Sequence, residues 1–345
     1  MRKISREIMS NKLYTPPALD VIHHNTARHG NPMGLAHKEC ASWAEGLAIP
    51  KSGRTILYTG AEYQMTAYIT SMVGVLKVAK FQDGFFSAYR GVQGITGKLG
   101  IDLAKMYGQV AGAEVKLYRD LVRKAALILQ KLGVDFACLE GELYSGALLY
   151  EFGYFEGLEQ HARKVVGQFK EAGVEKIIAL TPHSAEIFKK VYPRFITGFD
   201  FEVVPYVSEL AERLRVSGRQ LALEKPMTVT LHDPCHLART LRISEEPRQI
   251  LRSIRNVELK ETDFNREKTV CCGAPCEMVY PELSELIGIR RIRELANTGA
   301  EAALTMCPFC HANLSRAAGA FKTNMKIMDL IEIVYSALEG EHVRT

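Results

Sequence analysis

From Arg54 onward, short β-branched runs alternate with longer amphipathic stretches. The runs RTILYTG, VDFACLE, KIIALTP, FEVVPY, MTVTLHDP, NVELKE and AALTMCP predict strands. Between them, YRDLVRKAALILQKLG and LSELIGIRRIRELANTG predict amphipathic helices, the second closed by Gly299. Strand–helix alternation of this kind builds parallel sheets, so the chain reads as α/β. Residues 1–54 differ: they are polar, and YTPP and HGNPMG interrupt any regular apolar pattern. They predict an irregular N-terminal arm that docks a partner and stays off the core.

The pattern also repeats. Residues 55–200 and 226–340 share an order of strand, turn, helix, strand, glycine turn, helix, strand, proline and helix. ALTPHSAEIFKKVYP matches LTMCPFCHANLSRAAG in layout, and ELYSGALLYEFG matches TVCCGAPCEMVY. Two duplicated Rossmann-like halves follow, residues 55–225 and 226–345. The first carries an extra stretch, about residues 65–115, read as a packed helical insertion.

Composition changes little in this picture. The 345 residues are 47% hydrophobic and 24% charged with a net charge of +5, the profile of an ordinary globular protein. The basic residues are spread along the chain, which argues against a nucleic-acid partner. The opening MRKISREIMSNKLYTPP lacks the apolar core of a signal peptide. A cytoplasmic location is therefore expected, and there eight cysteines point to metal or redox chemistry before disulfides.

Five of those cysteines lie in the second half: Cys235 in LHDPCHLART, the adjacent Cys271 and Cys272, and Cys307 and Cys310 in MCPFCHANL. Steps of 36 and 35 residues separate the three groups, each placed after a predicted strand. In a parallel sheet the carboxyl ends of strands share one edge, where ligands bind. A zinc ribbon needs paired Cys-x-x-Cys motifs, and only one is present. A vicinal pair suits a cluster of several metal atoms, because each thiolate can reach a different one. Gly273 permits a tight turn under the pair, and Pro308 suits a helix start.

At these residues the sequence resembles a known family. HDPC, CCGAP and CPFCHANL are similar to the CCG motif of heterodisulfide reductase B/D-type subunits, and the likeness runs over nearly the whole chain from Arg54. The resemblance implies one non-cubane 4Fe-4S cluster held by Cys235, Cys271, Cys272, Cys307 and Cys310. It implies an oxidoreductase subunit acting on a disulfide, thiol or other sulfur substrate within a complex. Its partners would be a ferredoxin-type iron–sulfur subunit and a flavin-containing subunit. NPMGLAHKECASWAEGL looks like the segment that follows a fused ferredoxin domain, so the arm with His23, His24, Cys40 and Trp43 is expected to dock one. The alternative is a non-catalytic electron relay or a membrane-anchoring subunit of a dehydrogenase, with peripheral association at the inner face of the membrane.

The first half departs from the family pattern. Where two-cluster members carry cysteines, this chain has Ala61, Tyr144, Ser145, Thr181 and Ser184. This half is expected to keep its fold without a cluster, which tilts the reading towards complexes of the sulfur-oxidising type. His183 lies at the lost site, with Thr181, Ser184 and Tyr144 expected around a pocket. His232, His236 and His311 flank the cluster cysteines as hydrogen-bond donors or proton carriers. Cys276, His183 and His236 are the candidate catalytic residues, Cys276 as a redox thiol; Cys138 is expected in the core.

Overall fold

The computed structural model describes residues 16–79 and 112–340. The middle of the expected insertion, residues 80–111, lies outside the described residues. Its two ends are the helices Glu62–Ala79 and Gly112–Lys131, which pack against each other.

Two parallel sheets form the framework. In the first, β1 (Thr55–Tyr58), β2 (Lys176–Ala179) and β3 (Glu202–Pro205) lie in that order. In the second, β4 (Leu221–Leu231), β5 (Ile254–Leu259), β6 (Ala302–Thr305) and β7 (Lys326–Asp329) are arranged β5-β4-β6-β7. The predicted strand VDFACLE shrinks to a single bridge between Ala137 and Ile56, on the free side of β1. The next amide, Cys138 N, donates instead to Pro50 O at 2.9 Å, which takes the chain out of the ladder. With this bridge counted as a strand, both sheets follow the order second, first, third, fourth along the chain. The duplication seen in the sequence is thus a duplication of topology. The turns agree: Gly146 and Gly273, at matched positions, have φ of 80° and 96°, a region that excludes most side chains.

β7 has no counterpart among the predicted strands. Its four residues KIMD begin and end on charge and carry too little pattern to be read. β1, β2 and β6 are buried almost throughout, as strands covered by helices on both faces are. The halves are joined by helix packing between Glu62–Ala79 and Pro308–Phe321. They are also joined by buried polar contacts: Tyr63 Oη donates to Asp329 Oδ2 at 2.7 Å, and Tyr118 Oη lies 3.1 Å from His311 Nδ1.

The expectation that residues 1–54 stay off the core is corrected for residues 16–54. Helix Pro17–His29 packs on helix Phe155–Glu171 and buries Ala18, Val21 and Ile22, while Leu35 and Trp43 are 2% and 1% exposed. Three apolar positions on one short helix are too few to stand out as periodicity. The irregular part is tied by polar contacts. Buried Asn31 donates through Nδ2 to Leu35 O at 2.8 Å and accepts from Leu35 N at 2.9 Å. Asn31→Ala is therefore expected to cost about 1–3 kcal/mol, since the Leu35 amide and carbonyl lose their partner. Urea denaturation measures it; no change would return the segment to the role of an appendage.

Candidate metal centre

The three cysteine segments meet at the carboxyl ends of β4 and β6. β4 runs into His232-Asp233-Pro234-Cys235, and β6 into Met306 and Cys307. Cys307 caps helix Pro308–Phe321, whose Pro308 stands at the first position, so Cys310 falls in the first turn. The vicinal pair does not follow its strand directly: a loop from Lys260 to Val270 carries the chain from β5 to Cys271. Two hydrogen bonds hold that loop in place. Thr269 Oγ1 donates to Asp233 O at 2.8 Å, and Asn313 Nδ2 to Cys272 O at 2.7 Å. A Cβ at Gly273 would stand 2.6 Å from Ser284 O, so the turn under the pair takes glycine alone.

The five thiols form a chain of neighbours. Cys235 meets Cys271, Cys271 meets Cys272, Cys272 meets Cys310, and Cys310 meets Cys307. Besides each other, the adjacent cysteines thus reach different neighbours, Cys271 the Cys235 after β4 and Cys272 the Cys310 in the helix after β6. Hydrogen bonds from Cys235 and Cys272 hold the Cys271 thiol well below its usual range, while Cys235, Cys272 and Cys310 are pushed up by those same neighbours and by burial. Thiolates this close repel one another, so several held together need cationic charge among them, as metal supplies.

His232 fits the same picture. Its Nδ1 accepts from Arg291 Nε at 3.1 Å, which places the ring proton on Nε2. That Nε2 is buried without a hydrogen-bond partner, and the ring stands with the thiols of Cys272 and Cys310 within 4.8 Å. An orphaned donor beside sulfur is satisfied when that sulfur carries charge. The donor set therefore fits a multi-iron cluster.

Beside the cysteines lies a cleft that, counted together with the solvent at its mouth, spans about 560 Å³. Cys235, Cys272, Cys307 and Cys310 form one wall, His183, Glu151 and His236 another, and Ile22, Ile69, Phe152 and Phe309 supply apolar surface. The His183 and His236 rings are 4.0 Å apart, and Cys307 Sγ is 4.0 Å from His183 Nδ1. His236 Nδ1 bonds Glu186 Oε2 at 2.5 Å. Burial, reinforced by the neighbouring His236, pushes His183 well below its usual value. Burial works against charge on His236 too, but Glu186 and Glu151 override it and hold the group up to about 9. Burial raises Glu62 and Glu151 to about 7.

Of the other sequence candidates, Cys276 is not drawn into the thiol group. Its thiol turns back to Gly273 O at 3.2 Å, away from the residues lining the cleft. His311 is buried against Tyr118 and is not among the residues that line the cleft. Thr181 and Ser184 are used locally: Thr181 accepts from Ser184 N, and Ser184 Oγ donates to Glu62 Oε1 at 2.5 Å. Tyr144 accepts from Leu148 N and is buried. Of the polar residues expected around the lost site, His183 alone reaches the cleft. Cys138 is buried as expected. The glutamates Glu62, Glu151 and Glu186 escaped sequence reading. Glu151 had a signal, an acid within the apolar run ALLYEF of the repeated segment.

Residues 229–315 match the cysteine-rich domain family CCG. Among curated proteins, the chain is 32% identical over 220 residues to the D-type component of the dihydromethanophenazine:CoB–CoM heterodisulfide reductase of Methanosarcina barkeri, covering 61% of this chain and 53% of that one. It is 27% identical over 327 residues to "Probable iron-sulfur-binding oxidoreductase FadF" of Bacillus subtilis, covering 92% of this chain and 40% of that one. With "EtfAB:quinone oxidoreductase" of Syntrophomonas wolfei it shares 28% identity over 240 residues, 64% of this chain and 32% of that one. The chain spans about half the length, or less, of these relatives. The likeness to heterodisulfide reductase B/D-type proteins, read from the HDPC, CCGAP and CPFC motifs, holds.

Proposed function

For a chain that carries a cysteine-rich CCG domain over residues 229–315, we propose the role of an iron–sulfur subunit in a heterodisulfide-reductase-like oxidoreductase complex. Cys235, Cys271, Cys272, Cys307 and Cys310 would hold one 4Fe-4S cluster of the non-cubane kind. The observation that carries this is the split of the vicinal pair, Cys271 meeting Cys235 and Cys272 meeting Cys310. A single tetrahedral ion takes four ligands and has no use for the fifth thiol.

When bound, such a cluster supplies electron transfer at sulfur. The residues around it do the rest. The cleft admits a disulfide or thiol to the edge formed by Cys307 and Cys310, with Phe309 and Phe152 excluding water from its apolar parts. His183 and His236 form the polar wall that receives the charged end of the substrate. Reducing a disulfide to two thiols takes two electrons and two protons, so electrons come from partner subunits, a ferredoxin-type and a flavin-containing one. An open cleft beside the thiols favours this over a bare electron relay. Among the described residues no helix is long and apolar enough to cross a membrane.

Anaerobic reconstitution followed by iron and sulfide assay tests the cofactor. About four irons per chain are expected, the content of one 4Fe-4S cluster. Ser184 and Tyr144 of the first half are already engaged by Glu62 and Leu148. About eight irons would place a second cluster there and overturn the reading.

A further inference from the structure

The polar wall of the cleft is built as a second metal site. We propose that His183, Glu151 and His236 bind a mononuclear divalent transition-metal ion of the zinc or ferrous type, separate from the five thiols. Their donor atoms all lie within 4.8 Å of one another. Both imidazoles aim Nε2 at the same oxygen, Glu151 Oε1, His236 at 3.5 Å and His183 at 3.8 Å. These separations are too long for hydrogen bonds. They are close to the spacing of two donors held about 2.0–2.2 Å from a common ion.

The second nitrogen of each ring faces its own carboxylate. His236 Nδ1 meets Glu186 Oε2 at 2.5 Å, and His183 Nδ1 faces Glu62 Oε2 at 3.7 Å. Ser184 Oγ clamps the other oxygen of Glu62 at 2.5 Å, and Oε2 itself is buried without a hydrogen-bond partner. Carboxylate, imidazole and metal in line is how ligating histidines are oriented. His236 has that support from Glu186, and His183 faces the Glu62 carboxylate without a hydrogen bond to it. Among the described residues no lysine or arginine forms an ion pair with Glu62, Glu151 or Glu186, so their positive partner is the His236 imidazole or an ion that takes the place of its proton.

The ligands come from three places in the fold: the helix Ala147–Glu151, the short helix Pro182–Glu186 after β2 and the start of the helical segment His236–Leu241 after β4. An ion between them would fasten the two halves together at the cleft. Three protein ligands leave a coordination position open, and the open side here is the cleft. The ion would there hold an anionic donor of the substrate beside Cys307. This inference does not depend on the cluster assignment. Iron and sulfide report the thiols and zinc reports the wall, so either reading can fail alone.

The experiment is zinc binding to the cluster-loaded protein under anaerobic conditions, read by equilibrium dialysis, elemental analysis and zinc-edge X-ray absorption. About one zinc per chain is expected beyond the iron, with nitrogen and oxygen scatterers at about 2.0–2.1 Å and no sulfur at about 2.3 Å. Glu151→Gln is expected to weaken zinc binding at least tenfold with iron and sulfide unchanged. Glu186→Gln, which would not touch the ion, is expected to weaken it by about 10–100-fold through the histidine it orients. A parent protein that binds no zinc would overturn the proposal and leave His236 as an imidazolium between two carboxylates. Sulfur-dominated scattering, or Glu151→Gln binding zinc as the parent does, would overturn it as well.

Discussion

Anaerobic protein carrying Cys272→Ser is expected to lose the parent's brown absorption and electron paramagnetic resonance signature, its iron content falling from about four per chain to below about one. Cys272 is the link between the two sides of the site, with Cys271 on one side and Cys310 on the other. It is 3% exposed, which leaves solvent little access to the place of the missing sulfur. A serine hydroxyl there would have to ionise in a buried, thiol-rich setting, which is far costlier than for a thiol. The fold should survive the exchange, because the anchoring bond from Asn313 reaches the main-chain carbonyl of Cys272. Cys276→Ser makes the control. Its thiol bonds Gly273 O within its own turn, and the variant is expected to keep iron and spectra. Spectra of Cys272→Ser identical to the parent would remove Cys272 from the site, and with it the reason for a vicinal pair.

How far the site was legible follows from where its chemistry is written. The cysteines were readable because CCGAP and CPFC each hold two of them close together and HDPC, like CPFC, stands just after a strand. Parallel-sheet topology then brings the groups together. Glu62 and Glu186 were not readable. A carboxylate in isolation reads as a solvated side chain, and the pairing of His236 with Glu186 spans 50 residues and the seam between the halves. The duplication could be seen because order and glycine turns survive divergence. The shrinkage of VDFACLE to one bridge could not, since it hangs on a hydrogen bond to Pro50 from the N-terminal segment. That segment misled for a related reason: its burial comes from Leu35, Trp43 and a short helix docking on distant elements, which no local period records.

The scaffold behind Cys235 rests on a buried charge network, and Arg248→Ala is expected to show its weight. Arg248 is 0% exposed. Its guanidinium donates to both oxygens of Asp233, at 2.8 and 2.9 Å, and to both oxygens of Glu261, at 2.6 and 2.8 Å. Asp233 in turn accepts from Arg266 N at 2.7 Å and offers its carbonyl to Thr269, two residues before the vicinal cysteines. One arginine therefore ties the turn that carries Cys235 to the loop that carries Cys271 and Cys272. Removing it leaves the Asp233 carboxylate buried without its cation, a loss of about 3–5 kcal/mol for a pair of this kind. Lysine should not restore it, because an ammonium cannot serve two carboxylates through a planar fork. The double variant Arg248→Met with Asp233→Leu is expected to recover much of the stability, since no unpaired charge then remains in the interior. It should still load iron poorly, because the Arg266 amide loses its acceptor and the cysteine loop its alignment. Urea denaturation of the cluster-free variants separates the two effects. Arg248→Ala within about 1 kcal/mol of the parent would mean that the turn holds its shape without the ion pair, and that the thiols are placed by the strands and Gly273 alone.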